Sequence, residues 1–142
     1  MKNLLKISIA IFLIAFTSST IYAQETGIKF FKGTWSELLE KAKAEKKPFF
    51  VDIYAVWCGP CKWMSKNTFT NAQVGEYANQ NYIAYKLDGE KGEGPTIAKK
   101  YNLEAYPTIL FFSSEGNLVG TQVGAQDSEA FINTMKKFKD KK

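Results

Sequence analysis

The sequence predicts an α/β fold, with a central mixed β-sheet flanked by helices on both faces. Residues 49–55 and 108–112 are apolar almost throughout and rich in β-forming side chains. Such runs are typical of strands that are buried on both faces of a sheet. Segments with helical periodicity lie between the predicted strands, so helices and strands alternate along the chain. The predicted order is β-α-β-α-β-α-β-β-α, within a single domain.

The first part of this domain supplies one strand and one helix. Residues 27–31 are an apolar run that predicts a short strand. A capping-box pattern from Thr34 to Glu37 begins a helix that extends to about Glu45 and ends before Pro48. The apolar residues of this helix recur at helical spacing and are expected to face the core: Trp35, Leu38, Leu39 and Ala42.

The middle of the chain continues the alternation after the strand at 49–55. Residues 58–66 predict a helix, residues 67–70 interrupt it, and residues 71–80 predict a second helical piece. A strand at 82–87 and a short helix at 96–101 follow. The chain closes with the strand at 108–112, a turn at 114–117, a hairpin arm at 118–123 and a last helix that Asp127 caps, with Phe131, Met135 and Phe138 as its buried stripe.

The N-terminal segment has the layout of a secretory signal peptide over residues 1–23. Lys2 and Lys6 precede an apolar run at 7–16, and residues 21–23 provide a plausible cleavage site. The run is short for a membrane span, which needs about 20 residues, and an uncleaved anchor is the alternative. The folded domain is therefore expected at 24–142, in the periplasm or otherwise exported, where disulfides persist.

The composition excludes several classes of function. The 142-residue chain contains no histidine, so no histidine can act as a general base, complete a catalytic triad or ligate a metal. Its 19 basic residues are all lysines, and the formal net charge of +5 is a property of the two ends of the chain. Because arginine is the usual reader of bases, its absence argues against a nucleic-acid partner. No metal and no cofactor are expected.

Residues 88–95 form a polar, glycine-rich loop that superficially resembles a phosphate-binding loop. The loop lacks the Gly-Lys-Ser/Thr ending of a P-loop, and its three acids would repel phosphate. We therefore expect a solvated loop.

The only two cysteines lie within residues 57–62, which read WCGPCK. A zinc site needs three or four ligands, and the chain offers no further cysteine or histidine to supply them. A structural disulfide is a second interpretation, although so short a loop constrains the unfolded chain little. A pair of inert core thiols is a third, but the Gly59-Pro60 pair favours an exposed turn.

A redox dithiol explains each position of this motif. Cys58 would begin a helix, where unpaired N–H groups and the helix dipole favour a thiolate. Cys61 lies nearly one turn further on, which brings its sulfur beside that of Cys58. Pro60 suits the first turn because its missing N–H is not needed there, and Gly59 leaves room for a substrate.

Residues 57–62 resemble the active-site sequence of the thioredoxin family, and the resemblance extends over nearly all of residues 24–142. Asp52 lies six residues before Cys58, where the family keeps a buried acid, and Lys86 matches the lysine that neighbours this acid. Tyr106 and Pro107 resemble its cis-proline segment. Gly124 and Ala125 resemble its substrate-facing turn.

The resemblance implies a thioredoxin fold and a set of roles. Cys58 would attack a substrate disulfide and Cys61 would resolve the mixed disulfide, leaving a Cys58–Cys61 disulfide. Asp52, coupled to Lys86, would accept the proton of Cys61; the alternative is a purely structural ion pair. The surface that binds substrate would comprise Trp57, Gly59, Pro60, Tyr106, Pro107, Gly124 and Ala125.

One departure refines the resemblance. The proline that thioredoxins carry a few residues after the second cysteine is absent, and residues 67–74 interrupt the helix instead. This segment is similar to the C-terminal domain of the disulfide-interchange protein DsbD and its exported relatives. The sequence therefore predicts an exported, monomeric thiol–disulfide oxidoreductase of the reducing type, which acts on protein disulfides and takes electrons from a membrane-embedded donor. A disulfide oxidant or isomerase, or a non-catalytic binding module or chaperone, are the alternatives.

Overall fold

The computed structural model describes residues 26–141. The predicted leader, residues 1–23, lies outside the described residues. Five strands form the sheet: β1 (Phe30–Phe31), β2 (Phe49–Tyr54), β3 (Ile83–Asp88), β4 (Thr108–Phe112) and β5 (Leu118–Val123). Five helices are described: α1 (Trp35–Glu45), α2 (Gly59–Asn67), α3 (Ala72–Asn81), α4 (Gly94–Lys100) and α5 (Ser128–Phe138).

The sheet is mixed, as predicted, with the strand order β1-β3-β2-β4-β5. Strands β1 and β2 both pair with β3 in parallel, whereas β4 runs antiparallel to both β2 and β5. Strand β2 therefore lies at the centre, and five of its six residues are buried. Its carboxyl end points toward α2, which begins at Gly59, five residues beyond Tyr54, with Cys58 as its N-cap.

Hydrophobic side chains form one core on each face of the sheet. Alternate residues of β2 divide between the two cores, because successive strand side chains point to opposite faces. Phe49, Val51 and Ile53 pack with α1 and α4 in the first core. Phe50 packs in the second with α2, α3 and α5, whose Met64, Val74 and Phe131 are buried. The predicted flanking of the sheet on both faces is confirmed.

Several predicted details are confirmed. The capping box at Thr34 and Glu37 is present, and the Asp127 side chain accepts the N–H of Ala130 at the start of α5. The stripe Phe131, Met135 and Phe138 is buried. None of the helices described between residues 26 and 141 is long and apolar enough to span a membrane.

Other predicted boundaries were wrong. Strand β1 is shorter than residues 27–31 because Ile28 donates its N–H to Phe69 O, and Lys29 donates its N–H to the Asn79 side chain. Helix α4 begins at Gly94, earlier than expected, with Pro95 in its first turn. Leu39, predicted to be buried, is only partly covered at the edge of the first core.

The interruption at residues 67–70 is a structured joint between α2 and α3. Thr68 is the C-cap of α2, is fully buried, and donates its hydroxyl to Gln126 O at 2.6 Å. Phe69 is buried in the second core and packs edge-on against Phe131 at 5.6 Å. The joint therefore fixes the end of α2 to the segment that follows Gly124 and Ala125.

Candidate functional site

Cys58 and Cys61 form a disulfide at the first turn of α2. Their Cα atoms are 5.3 Å apart, and both residues are nearly buried, at 3% and 4% exposure. Cys58 is the N-cap, and its sulfur accepts the N–H of Cys61 at 3.2 Å. A sulfur at this place receives a backbone donor and the positive end of the helix dipole, both of which favour a thiolate when the pair is reduced.

Asp52 and Lys86 are direct neighbours across the parallel pair β2 and β3. Both side chains lie on the face that α2 covers, since each is two residues from a member of the second core, Phe50 and Ala84 respectively. Lys86 Nζ lies 3.6 Å from Asp52 Oδ2. Asp52 is 2% exposed, and its second oxygen, Oδ1, has no hydrogen-bond partner.

Burial governs the protonation of Asp52. Removal from water disfavours the carboxylate and raises its pKa from 3.8 to about 6, although the nearby Lys86 ammonium acts in the opposite direction. A carboxyl group with a pKa in this range can take up and release a proton near neutral pH.

The Lys86 ammonium lies in a cage of other groups. It donates a hydrogen bond to the Ser65 hydroxyl, one turn of α2 beyond Cys61. It also lies 5.0 to 5.7 Å from the ring centroids of three aromatic residues, Phe30, Tyr54 and Phe69. Cys61, Ser65 and Lys86 line one open pocket of about 430 Å³ beside the dithiol.

Ser65 was not predicted as a site residue. Ser65 contacts Lys86, and the register of β2 and β3 is what places Lys86 beneath α2. The signal in the sequence was its spacing of four residues from Cys61, which places both on one face of α2.

The segment around Pro107 forms the opposite side of the dithiol. The Tyr106–Pro107 peptide bond is cis, as the resemblance implies, and Tyr106 packs against the cluster of Ala55, Cys58 and Cys61. The carbonyl oxygen of Pro107 accepts the N–H of Gly124 at 2.9 Å. Gly124 has φ of +90°, a conformation that favours glycine. The predicted turn therefore lies directly beside Pro107.

Trp57 is the most exposed large apolar residue at the site, with 66% of its surface accessible. Its indole N–H donates to both carboxylate oxygens of Glu90, at 3.0 and 3.1 Å. Its ring meets that of Tyr106 edge-on, with centroids 6.1 Å apart. Glu90 thus orients the exposed Trp57 side chain beside the dithiol. The sequence pattern did not identify Glu90 as a site residue.

The prediction of a merely solvated loop at residues 88–95 was wrong in part. Gly89 donates its N–H to Tyr54 O at 2.8 Å, and Gly89 and Gly94 are both buried. Each of its three acids has a partner: Asp88 accepts the N–H of Glu90, Glu93 accepts the N–H of Trp35, and Glu90 accepts the indole N–H of Trp57. The sequence held one signal that this loop would be packed. The loop follows β3, whose carboxyl end lies at the same edge of the sheet as the carboxyl end of β2.

The structure thus brings together two sets of predicted residues around one disulfide. Trp57, Tyr106, Pro107 and Gly124 lie on one side, and Asp52 and Lys86 lie under α2. Gly59 and Pro60 are exposed in the first turn of α2, and Ala125 is exposed beside Gly124. Among residues 26–141, no group of three or more acidic or cysteine side chains is placed to hold a metal ion.

A disulfide at a helix N-terminus, on this fold, is the arrangement of the thioredoxin class. The comparison with known families agrees: residues 35–139 match the family described as a thioredoxin-like domain. The chain belongs to this thioredoxin-like family.

Two curated relatives place the chain within the family. It is 36% identical over 94 residues to the thiol:disulfide interchange protein DsbD of Yersinia pestis, over 64% of this chain but only 16% of DsbD. It is 32% identical over 107 residues to a thioredoxin-like protein of Synechocystis, over 75% of this chain and 96% of that protein. The chain therefore spans a small part of DsbD but nearly all of the second relative.

Solved structures show the same fold. A Bacteroides thetaiotaomicron protein proposed to be a disulphide isomerase is 43% identical, with a TM-score of 0.71 over 80% of this chain and 94% of that one. The oxidised C-terminal domain of Neisseria meningitidis DsbD is 22% identical, with a TM-score of 0.61 over 78% and 99% of the two chains. The second comparison concerns the fold alone.

Proposed function

We propose that this protein is an exported thiol–disulfide oxidoreductase that reduces disulfide bonds in protein substrates. The observation that carries the proposal is the Cys58–Cys61 disulfide at the first turn of α2, with a backbone N–H directed at the sulfur of Cys58. In the reduced protein the same donor and the helix dipole would stabilise the Cys58 thiolate.

The reaction exchanges one disulfide for another. The Cys58 thiolate attacks one substrate sulfur, the substrate S–S bond breaks, and the first substrate thiolate leaves and is protonated. Cys61 loses its proton and attacks Cys58 in the mixed disulfide. The second substrate thiolate then leaves and is protonated, so the substrate gains two electrons and two protons while Cys58 and Cys61 become a disulfide.

Asp52 is the proposed acceptor of the Cys61 proton. Its pKa of about 6 leaves it mostly ionised at neutral pH and able to take up a proton from a thiol. Lys86 links Asp52 to the pocket that Cys61 lines, since its ammonium lies 3.6 Å from the carboxylate and its side chain borders the pocket. We include Lys86 in the catalytic group for this reason.

The substrate would bind on the side of the dithiol opposite to this pocket. There the exposed Trp57 ring, the Tyr106 segment and the turn at Gly124 lie together. An extended substrate segment can pair with the backbone of Tyr106, as strands do at a free edge. The proposed surface comprises Trp57, Gly59, Pro60, Tyr106, Pro107, Gly124 and Ala125.

The reducing direction is supported by the residues between the cysteines. Gly59 and Pro60 supply no histidine to stabilise the reduced thiolate, and a less stabilised thiolate makes a dithiol a better reductant. The likeness to DsbD supports a membrane-embedded dithiol protein as electron donor. We further propose that the protein acts as a monomer.

Export is supported by the sequence of residues 1–23 and by the likeness to DsbD. The domain would begin near Gln24 once the signal peptide is cleaved, and the periplasm is the expected compartment. N-terminal sequencing of the protein from its host tests the cleavage, and a chain that still carries residues 1–23 would favour a membrane anchor.

Reduction of insulin by dithiothreitol tests the enzymatic claim. The protein should accelerate the reaction, whereas Cys58→Ser should abolish the acceleration, because it removes the attacking thiolate. Cys61→Ser should lose turnover but retain substrates as mixed disulfides with Cys58. A double variant that keeps the full biological activity of the protein would instead establish a binding module or chaperone.

Disulfide isomerisation is a second candidate, favoured by the 43% identity to the Bacteroides protein. An isomerase would restore activity to scrambled ribonuclease without net reduction of its disulfides. Recovery with Cys61→Ser comparable to that of the unaltered protein would favour isomerisation, since shuffling needs only the attacking thiol. Loss of recovery in this variant would favour reduction.

A further inference from the structure

The hydrogen bond between Lys86 and Ser65 has no place in the mechanism above. The ammonium is bound to the Ser65 hydroxyl, whereas its nearest contact with Asp52 is 3.6 Å, beyond the usual length of a charge-assisted hydrogen bond. Asp52 Oδ1 has no partner at all. The cation therefore lies nearer to a neutral hydroxyl than to the buried anion beside it.

Three rings lie on other sides of this ammonium, and its side chain is 30% exposed at the open pocket. Phe30, Tyr54 and Phe69 lie 5.7, 5.0 and 5.4 Å from Nζ, close enough for cation–π attraction. Without the Ser65 hydroxyl, the Lys86 ammonium would still face the Asp52 carboxylate. Asp52 Oδ1, which has no hydrogen-bond partner, would then offer the ammonium a new acceptor. A short movement would then create a direct ion pair.

We propose that Ser65 is a positioning residue that holds the Lys86 ammonium away from direct contact with the Asp52 carboxylate. The position of this ammonium then controls how readily the buried carboxyl loses its proton. The effect is electrostatic, since an ammonium that moves closer to a buried carboxylate stabilises the ionised form more strongly. Ser65 acts through Lys86 and need not touch the substrate.

The charged and titratable groups around this pair come from each neighbouring element. Helix α2 contributes Cys61, Lys62 and Lys66 to the same pocket, and β2 contributes Tyr54. Asp88 at the end of β3 acts on Tyr54. The paired residue of β4 is Ile109, which carries no charge. Among residues 26–141, Lys86 is the charged group that lowers the pKa of Asp52.

The test is the titration of Asp52 by NMR, from its carboxyl ¹³C shift in the oxidised protein. In this form Cys58 and Cys61 do not titrate, so the carboxyl is not coupled to a thiol. Ser65→Ala should lower the pKa of Asp52 by about one pH unit, because the ammonium can then approach the carboxylate. An unchanged or raised pKa would overturn the proposal.

Two controls separate this effect from a general structural one. Ser65→Thr keeps the hydroxyl and should keep the original pKa. In a Lys86→Met background, Ser65→Ala should leave the pKa of Asp52 unchanged, because the positioned cation is gone. An equal shift in that background would show that Ser65 acts directly on Asp52.

The expected effect of Ser65→Ala on catalysis rests on the proposed function, whereas its expected effect on the pKa of Asp52 does not. If Asp52 accepts the proton of Cys61, Ser65→Ala should also move the pH dependence of mixed-disulfide resolution to lower pH. A shifted titration with an unchanged resolution profile would retain the positioning by Ser65 and remove Asp52 from the mechanism.

Discussion

Asp52 is a residue of the candidate site whose burial lowers the stability of the folded protein. Its pKa is about 6 in the folded protein and 3.8 when exposed. Between these values the folded state holds a proton that the unfolded state has released, so stability falls as the pH rises. The ionised carboxyl therefore destabilises the folded protein at neutral pH.

Asp52→Asn should remove this pH-dependent loss. Relative to the unaltered protein, its free energy of unfolding should rise by about 2 kcal/mol as the pH increases from about 4 to about 7, because a shift of one pKa unit corresponds to about 1.4 kcal/mol and part of the effect lies below about pH 4. Urea denaturation at both pH values measures the difference. A pH-independent difference between Asp52→Asn and the unaltered protein would contradict the raised pKa of Asp52.

Glu90 and Trp57 support a second prediction at this scale. Glu90→Ala should lower kcat/KM for insulin reduction by about fivefold, since the indole loses the acceptor that orients it. Glu90→Gln keeps an acceptor oxygen and is the matched control, so it should retain most of the activity. Equal losses in the two variants would show that the charge of Glu90 matters more than its hydrogen bond.

The resemblance of residues 57–62 to thioredoxins predicted that Asp52 and Lys86 are neighbours near the dithiol, because their spacing from the cysteine motif and their strand context are visible in the sequence. It did not reveal Ser65 or Glu90. Ser65 is identified only when β2 and β3 are in register beneath α2. Glu90 is identified only when the end of β3 and the start of α2 meet at one edge of the sheet.

Among the elements, the loop between β3 and α4 illustrates how backbone packing controls the site. Gly94 is buried directly against the carbonyl of Asp88, and a side chain there would collide with backbone. The same loop carries Glu90. A disturbance at Gly94 should therefore reach Trp57 without a substitution at the site.

Gly94→Ala should destabilise the protein by about 2 kcal/mol, because an added methyl group would overpack the backbone of the loop. Gly59→Ala is the matched control, since Gly59 lies in the exposed first turn of α2 with open space around it. Urea denaturation compares the two. A Gly94→Ala protein as stable as the control would mean that this loop is more adaptable than its packing implies.

Element types were easier to predict than their limits. The apolar runs of β2 and β4 and the capping signals at Thr34 and Asp127 identified strands and helix starts correctly. The limits depended on tertiary contacts: residues 27–29 bond to Phe69 and Asn79 and so leave β1 with only two residues. Gly94 and Pro95 read as a loop but begin α4.

At the scale of the whole molecule, the fold assembles the site from three distant segments. The end of β2 and the start of α2 supply the dithiol and Asp52, β3 supplies Lys86, and the segment before β4 supplies Tyr106 and Pro107. The order β3-β2-β4 makes these segments neighbours at one edge of the sheet. The resemblance to thioredoxins predicted that these segments meet. The sequence did not predict the packing of the loop at residues 88–94.

The central claim is that this dithiol is a reductant, and its reduction potential tests that claim most directly. Equilibration of the Cys58–Cys61 pair with glutathione or with a thioredoxin of known potential gives the value. A potential close to that of thioredoxin, about −270 mV, is predicted, since no histidine between the cysteines stabilises the reduced form. A potential near about −120 mV, that of the strong oxidant DsbA, would contradict the account.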